Sequence, residues 1–394
     1  MSQIPERLSR SMIVLLAAAS ALGPVAMQIM LPAIPVVRER FDISTGTAQL
    51  TLSLSMFSIA LATLVYGPLA DRYGRRKVML AGIGITVVGS VLCMMADSIE
   101  LLIFGRVVQA AGGAVGLVLA RAIVRDVYDA RDAASIIATL AMVMVVMPMM
   151  SPLIGGELLV RFDWHSIFYL VAAISLLMML AMYRLLPETL RNPQPFTGVV
   201  SMLKGFVTLF RSRVFTCYAV NSAFISVVFF TFISAAPEVM ITVLKRPPNE
   251  YGYYFIMIPA AFMVGSYIAR GLSSRLGITR MIMLGSAIGL AGIVTALVLH
   301  LAGLMHPLGL FVPVAMTTFG NGLSLPNAQA GAINEFPDMA GSASGLTGFM
   351  QMALSALSAQ LVALLFNGTV YPMLLLMLFS ALISLGAFLL VRNR

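Results

Sequence analysis

Gly67-Pro-Leu-Ala-Asp-Arg-Tyr-Gly-Arg-Arg-Lys77 is a short, dense run of glycine and charge between two long apolar stretches. Four cations and one acid stand where two hydrophobic segments meet. Sixty per cent of the chain is hydrophobic and only 10% is charged, whereas soluble domains carry about 25% charged residues. A chain of 394 residues cannot hide so much apolar surface from water, and lipid is its natural solvent. A spanning helix needs about 20 apolar residues. After loops, this length holds twelve, and the Gly67–Lys77 run becomes a tight loop on one membrane face.

Working outward from that loop, apolar runs fall near 11–37, 47–70, 77–96, 99–124, 133–160 and 166–186. A second set lies near 214–236, 251–269, 280–302, 308–332, 339–366 and 370–391. The expected fold is an all-α integral membrane protein: twelve transmembrane helices in two six-helix bundles. An N-terminal bundle over 1–186 and a C-terminal bundle over 214–394 are joined by a cytoplasmic linker over 187–213. That linker opens on Pro187-Glu-Thr-Leu-Arg-Asn-Pro-Gln-Pro-Phe196, the most polar, proline-rich stretch of the chain, and a short surface helix is expected over 199–210. Arg7 and Arg10 followed by small residues imitate a signal peptide, but the apolar run continues to Val37, longer than a signal core. It reads as a retained first span.

Lysine and arginine bias gives orientation. The N-terminus, the loops after even-numbered spans and the C-terminus hold 19 of the 25 Lys and Arg. The opposite loops hold Arg38, Arg40, Arg161, Lys245 and Arg246, and Arg106 alone stays inside a span. Both termini are therefore expected in the cytoplasm. The same scatter of cations over short loops explains the net charge of +9 without a nucleic-acid partner. An internal repeat supports the halving: Leu69, Arg72, Gly74 and Gly82 match Leu272, Arg275, Gly277 and Gly285, with Ser274 in place of Asp71. Repeated halves are common in secondary transporters, which bind substrate near the bilayer midplane.

Several residues carry chemistry. Asp71 ends the second span, where the helix dipole is negative and an acid needs an answer. Arg72, Arg75 and the more distant Arg125 are the answers expected, in a conformational latch that also uses Gly67 and Gly74. Arg106 and Gln109 share a stripe of span four with Gly113 and Gly116. A charge inside a span is costly and usually functional, and Gly112 and Gly116 form a GxxxG pair for close packing. Pro148, Pro152, Gly155 and Gly156 give span five a backbone that bends. Gln28 lies on a polar face of span one with Pro24 and Pro32. With Asn221, Asn321 and Gln351 it completes the expected substrate contacts. Methionines such as Met142, Met147 and Met150 suit ligands of several shapes. Glu157 and Glu238 are the acids expected to carry protons. Cys93 and Cys217 sit in apolar runs as free thiols. No phosphate loop, metal cluster or nucleophile elbow occurs in the sequence, so neither catalysis nor a cofactor is expected.

The Gly67–Lys77 loop resembles the loop signature of the major facilitator superfamily, and the Arg106–Gly116 stretch its fourth-span motif. Met147-Pro-Met-Met-Ser-Pro-Leu-Ile-Gly-Gly156 is similar to the fifth-span motif of the superfamily's drug–proton antiporters, with Ser151 in a glycine position. Leu31-Pro-Ala-Ile-Pro35, Pro187-Glu-Thr189 and Gly341-Ser-Ala-Ser344 add to a resemblance to the bicyclomycin/chloramphenicol-resistance (Bcr/CflA) branch that covers nearly the whole chain. It implies a multi-pass bacterial inner-membrane exporter, a monomer whose partners are small neutral or lipophilic drugs, protons and lipid. The branch commonly carries an aspartate in span one, where this chain has Gln28, and Trp164-His165 stands where Trp-Arg is usual. Glutamine cannot carry a proton, so coupling needs another residue. The same fold also serves uncoupled facilitators, symporters and metabolite exporters. A non-transporting receptor or sensor would need a sizeable soluble domain, which this sequence does not encode.

Overall fold

Two prolines divide the first span. The N-terminal helix α1 covers Arg10–Gln28 and is capped by Ser9, whose hydroxyl accepts from the Met12 amide at 3.2 Å. A 3-10 turn at Leu31–Ala33 then leads into the short α2, Ile34–Arg40. Pro32 and Pro35 stand at the starts of these two pieces. Each fixes φ and lacks the N–H that would bond backwards, so the helix stops and restarts. The computed structural model describes residues 8–190, 199–336 and 339–392.

The remaining helices of the first half follow in order. They are α3 (Thr45–Tyr73), α4 (Arg75–Met94), α5 (Ile99–Val127), α6 (Ala130–Arg161) and α7 (His165–Leu185). The second half holds α8 (Val199–Arg211), α9 (Arg213–Glu238), α10 (Pro248–Phe255), α11 (Met257–Leu301), α12 (Pro307–Asn334), α13 (Ala340–Leu364) and α14 (Tyr371–Arg392). A π-helical turn at Val239–Val243 closes α9 just after Pro237. Every regular element among the described residues is helical, as lipid demands of a chain that must satisfy its own backbone.

Among the described residues, eleven helical stretches are long and apolar enough to cross a membrane. One of them, Pro248–Leu301, is 54 residues long. At about 1.5 Å per residue, that is far more than a hydrocarbon core of about 30 Å requires. Gly277 interrupts it with φ 78° and ψ 162°. The stretch therefore carries two spans, which brings the count to the expected twelve. Gly74 breaks the chain between α3 and α4 in the same way, with φ 101° and ψ 146°. The two glycines are 203 residues apart, so the sequence repeat is also a backbone repeat. The proposed surface helix is α8, which packs on α9 and α13.

The chain divides into two compact units, Met1–Ile43 with Leu50–Thr197, and Ser44–Gln49 with Gly198–Arg394. In the first, α5 is central, packing on α1, α4 and α6. Its glycines set the spacing: a Cβ at Gly113 would lie 2.7 Å from the Cα of Gly23 in α1. In the second, α9 packs on α12, α13 and α14, and α11 pairs along its length with α12. Both thiols, Cys93 and Cys217, are buried and unlinked.

Candidate functional site

Arg106 lies two turns into α5 and is only 2% exposed. Its Nη1 donates to the carbonyl of Ala26 at 2.8 Å and to Oε1 of Gln109 at 2.6 Å, and its Nη2 reaches the carbonyl of Met27 at 3.5 Å. The two carbonyls belong to the last turn of α1. The helix's final bond runs from Ile29 N–H to the Val25 carbonyl at 2.9 Å, and the chain then turns towards Pro32. The last carbonyls of a helix have no partner of their own, and that end carries partial negative charge. Arg106 answers both needs and so caps the broken first span from a neighbouring helix.

Gln109 continues the chain of bonds. Its Nε2 donates to the Ser90 hydroxyl at 2.8 Å, and Ser90 donates to the Thr86 carbonyl at 2.8 Å. A buried relay thus links α1, α5 and α4. A charge this deep is tolerable only when it is hydrogen-bonded, and here carbonyls and an amide do the work that an acid would do elsewhere. Gln28 is buried beside the same break.

Span five meets this break from the other side. A Cβ on Gly155 would overlap the carbonyl oxygen of Ile29, so only glycine lets α6 approach there. Gly156 is buried next to it. Pro148 and Pro152 lie in the preceding turns, and Ser151 donates to the Pro148 carbonyl at 2.8 Å. Met142, Met147 and Met150 are exposed along the same helix.

A second cluster occupies the Gly67–Lys77 stretch, which is not an extended loop but the end of α3 and the start of α4 joined through Gly74 alone. Arg75 Nη1 contacts Asp71 Oδ1 at 2.6 Å, and its Nε contacts Asp126 Oδ2 at 2.9 Å. Thr189 donates to the same Asp126 oxygen at 3.2 Å. Glu188 then covers the start of α4. Its two oxygens accept from the backbone N–H of Arg75 at 2.8 Å and of Arg76 at 3.3 Å. A carboxylate over the open N–H groups of a helix start is well placed. Gly74 is the N-cap, and a Cβ there would collide with Glu188 Oε2. The positive φ and the packed carboxylate both require glycine. Arg76 donates to the Tyr183 carbonyl at 2.6 Å and stacks over the Tyr183 ring. The ends of α3, α4, α5 and α7 are thereby tied together. Arg72 and Arg125 are exposed around this knot, while Gly67 stands earlier on α3 beside Val118.

The other polar points lie apart. Asn221 is buried on α9, and its Nδ2 donates to the carbonyl and hydroxyl of Ser384 on α14 at 2.8 and 2.9 Å. Asn321 shares a narrow cleft with Ser286, Thr317 and Ser384, so one seam of the second unit gathers both asparagines. Gln351 accepts from Gln329 at 3.4 Å. Glu157 pairs with Arg161 at 3.3 Å near the end of α6. Glu238 is 4% exposed, at the junction of α9 with the π turn.

Sequence reasoning named Arg106, Gln109 and Arg75 but missed most of their partners. Asp126 and Glu188 lie 51 and 113 residues from Arg75. No local spacing signals either contact, and Ser90 is one serine among many in an apolar run.

Comparison with known proteins follows the same lines. Residues 16–359 match the family described as Major Facilitator Superfamily. The chain is 30% identical over 346 residues to the Multidrug resistance protein D of Escherichia coli, covering 88% of this chain and 86% of the relative. It is 27% identical over 380 residues to the Bicyclomycin resistance protein homolog of Haemophilus influenzae, covering 95% and 94%. Among solved structures, a D-xylose-proton symporter superposes with a TM-score of 0.76 at 12% identity, over 95% of this chain and 96% of that one. At that identity the likeness is one of fold.

Proposed function

This chain belongs to the Major Facilitator Superfamily, and from that premise we propose that it is an efflux transporter of small neutral or lipophilic drugs. It works in the bacterial inner membrane as a monomer, with both termini in the cytoplasm, by alternating access driven by protons. The observation that carries this reading is its whole-length likeness to named resistance proteins. The side chains agree with such a cargo. The polar points expected to meet it are neutral amides, Gln28, Gln109, Asn221, Asn321 and Gln351, with Arg106 occupied by backbone carbonyls. Sugar acids or phosphates would call for free cations at these depths.

In this mechanism the break in α1 is the joint. Arg106 holds its carbonyls, the Gly155 approach keeps α6 against it, and the exposed methionines of α6 adapt to cargo. The Asp71–Arg75–Asp126 knot is the latch, with Gly67, Arg72 and Arg125 around it. It ties helix ends in one state and loosens in the other. Protons load at Glu238, which is buried beside a π turn. Such turns occur often at functional sites. Glu157 is the alternative carrier, already paired with Arg161.

The test is drug accumulation in cells with and without the gene, each with and without an uncoupler. Lower accumulation with the gene, abolished by the uncoupler, is expected. Equal accumulation rejects export. An effect that the uncoupler does not touch rejects proton drive and favours the reading that Gln28 suggests, a carrier without proton coupling.

A further inference from the structure

The two halves of the repeat treat charge differently. In the first copy, Arg75 is held between Asp71 and Asp126, and Glu188 covers the helix start. In the second copy, displaced by 203 residues, Ser274 replaces Asp71 and Ile278 replaces Arg75. Ser274 donates back along its own helix to the Gly271 carbonyl at 3.2 Å, and Ile278 packs on the buried group of Ile282, Ala328 and Phe388. The charge knot has become an apolar contact, yet the cations remain. Arg275 and Arg280 stand for Arg72 and Lys77, and Arg270 is added where the first copy has Gly67.

These arginines have little to neutralise them. All three are exposed. From Phe255 to the end of the sequence, only Glu335 and Asp338 are acidic. Glu335 accepts from Ser212 at 3.0 Å. The helices packed against α11, namely α12, α14 and α10, hold one acid between them, Glu250. It belongs to the other end of the span, beside Arg246.

The arginines also border a shaped surface. An open cleft is lined by Tyr267, Ile268, Arg270, Gly271, Leu272 and Arg275. Gly271 leaves its floor open, since a Cβ there would meet nothing within 4 Å. Val264, Tyr267 and Ile268 continue the same helix face as an exposed apolar stripe, with Tyr267 78% exposed. Apolar surface leads into tyrosine, and tyrosine into the two arginines of the cleft. That is the polarity profile of a membrane interface, where Tyr favours the headgroup level.

We propose that this cleft is a binding site for an anionic phospholipid. The headgroup phosphate lies between Arg270 and Arg275, and an acyl chain follows Ile268, Tyr267 and Val264. Guanidinium groups pair with phosphate in a planar, two-pronged geometry. Lys and Arg just cytoplasmic of a span attract anionic headgroups, and the orientation proposed above puts Arg270 and Arg275 there. The apolar stripe favours a lipid over free phosphate, and the lack of any acid on α12 and α14, which pack along α11, favours an anionic headgroup over a zwitterionic one.

The experiment uses the full-length protein in mixed micelles. Native mass spectrometry would follow bound lipid as phosphatidylglycerol or phosphatidylcholine is titrated. Phosphatidylglycerol should bind saturably, phosphatidylcholine should not, and excess inorganic phosphate should not displace the lipid. Arg270→Gln with Arg275→Gln should weaken binding about thirty-fold, from the usual worth of two interfacial arginines. Arg184→Gln with Arg211→Gln removes the same charge from other exposed positions and should leave binding unchanged. Tyr267→Ala should shorten lipid residence in a protein that keeps its charge and its fold. Equal losses in both double variants would reduce the effect to diffuse surface charge and overturn the proposal. Displacement by inorganic phosphate, or no preference for the anionic lipid, would overturn it as well.

Discussion

The Arg106 guanidinium spreads its donors over Ala26, Met27 and Gln109. Each buried acceptor left without a donor costs about 1–3 kcal/mol. Arg106→Ala is therefore expected to abolish drug export, and Arg106→Lys to restore little of it. A lysine supplies charge at one point and cannot fork between carbonyls and amide. Resistance assays with immunoblot control of expression would decide; wild-type resistance in the alanine variant would make the cap dispensable. Asn221 contrasts with it, because both of its amide bonds end on Ser384. Hydrogen bonds between spans average about 0.6 kcal/mol, so Asn221→Ala should lower thermal stability slightly and leave drug affinity within a few-fold. A large loss of affinity at unchanged melting temperature would instead place Asn221 against the drug. The special status of Arg106 was legible in the sequence, because a lone charge within a span stands out. Its partners were not, because backbone carbonyls freed by a helix break leave no mark in residue types.

At the scale of elements, the start of α4 is the sharpest case. Gly74 combines a positive φ with a carboxylate packed where a side chain would go. An L-residue in such a sparsely populated conformation costs about 1–3 kcal/mol before any collision is counted. Gly74→Ala should lower the melting temperature and impair transport, while the matched change at Gly277 meets open space and carries only the backbone cost. Differential scanning fluorimetry on both variants compares them directly, and equal losses would remove Glu188 from the explanation. Asp71→Asn should impair transport at normal expression, since it frees one side of Arg75; full resistance in that variant would sink the latch. The helices themselves were easily read, because runs of apolar residues bounded by charge have few other interpretations in lipid. The division of the first span was half visible in Pro32 and Pro35. The separation of two spans at Gly277 was visible as well, since Arg270, Arg275 and Arg280 interrupt the apolar pattern around it and the glycine repeats Gly74.

For the whole molecule, the proposed proton drive is tested through the two acids that could carry it. Glu238 is buried at a break between α9 and its π turn, whereas Glu157 is partly exposed and paired with Arg161. In vesicles, drug-induced proton movement should be lost in Glu238→Gln and kept in Glu157→Gln. The opposite result would move the carrier to α6, and no flux in wild type would end the antiport reading. The two buried thiols bear on how such work is done. Cys93 and Cys217 are sealed among packed helices, so a polar maleimide added to intact cells meets an effectively blank protein. A single cysteine introduced at an exposed position near a helix break or end, such as Ser274 or Arg184, then becomes the one label, and its reactivity from either side of the bilayer reports directly which way the chain is threaded.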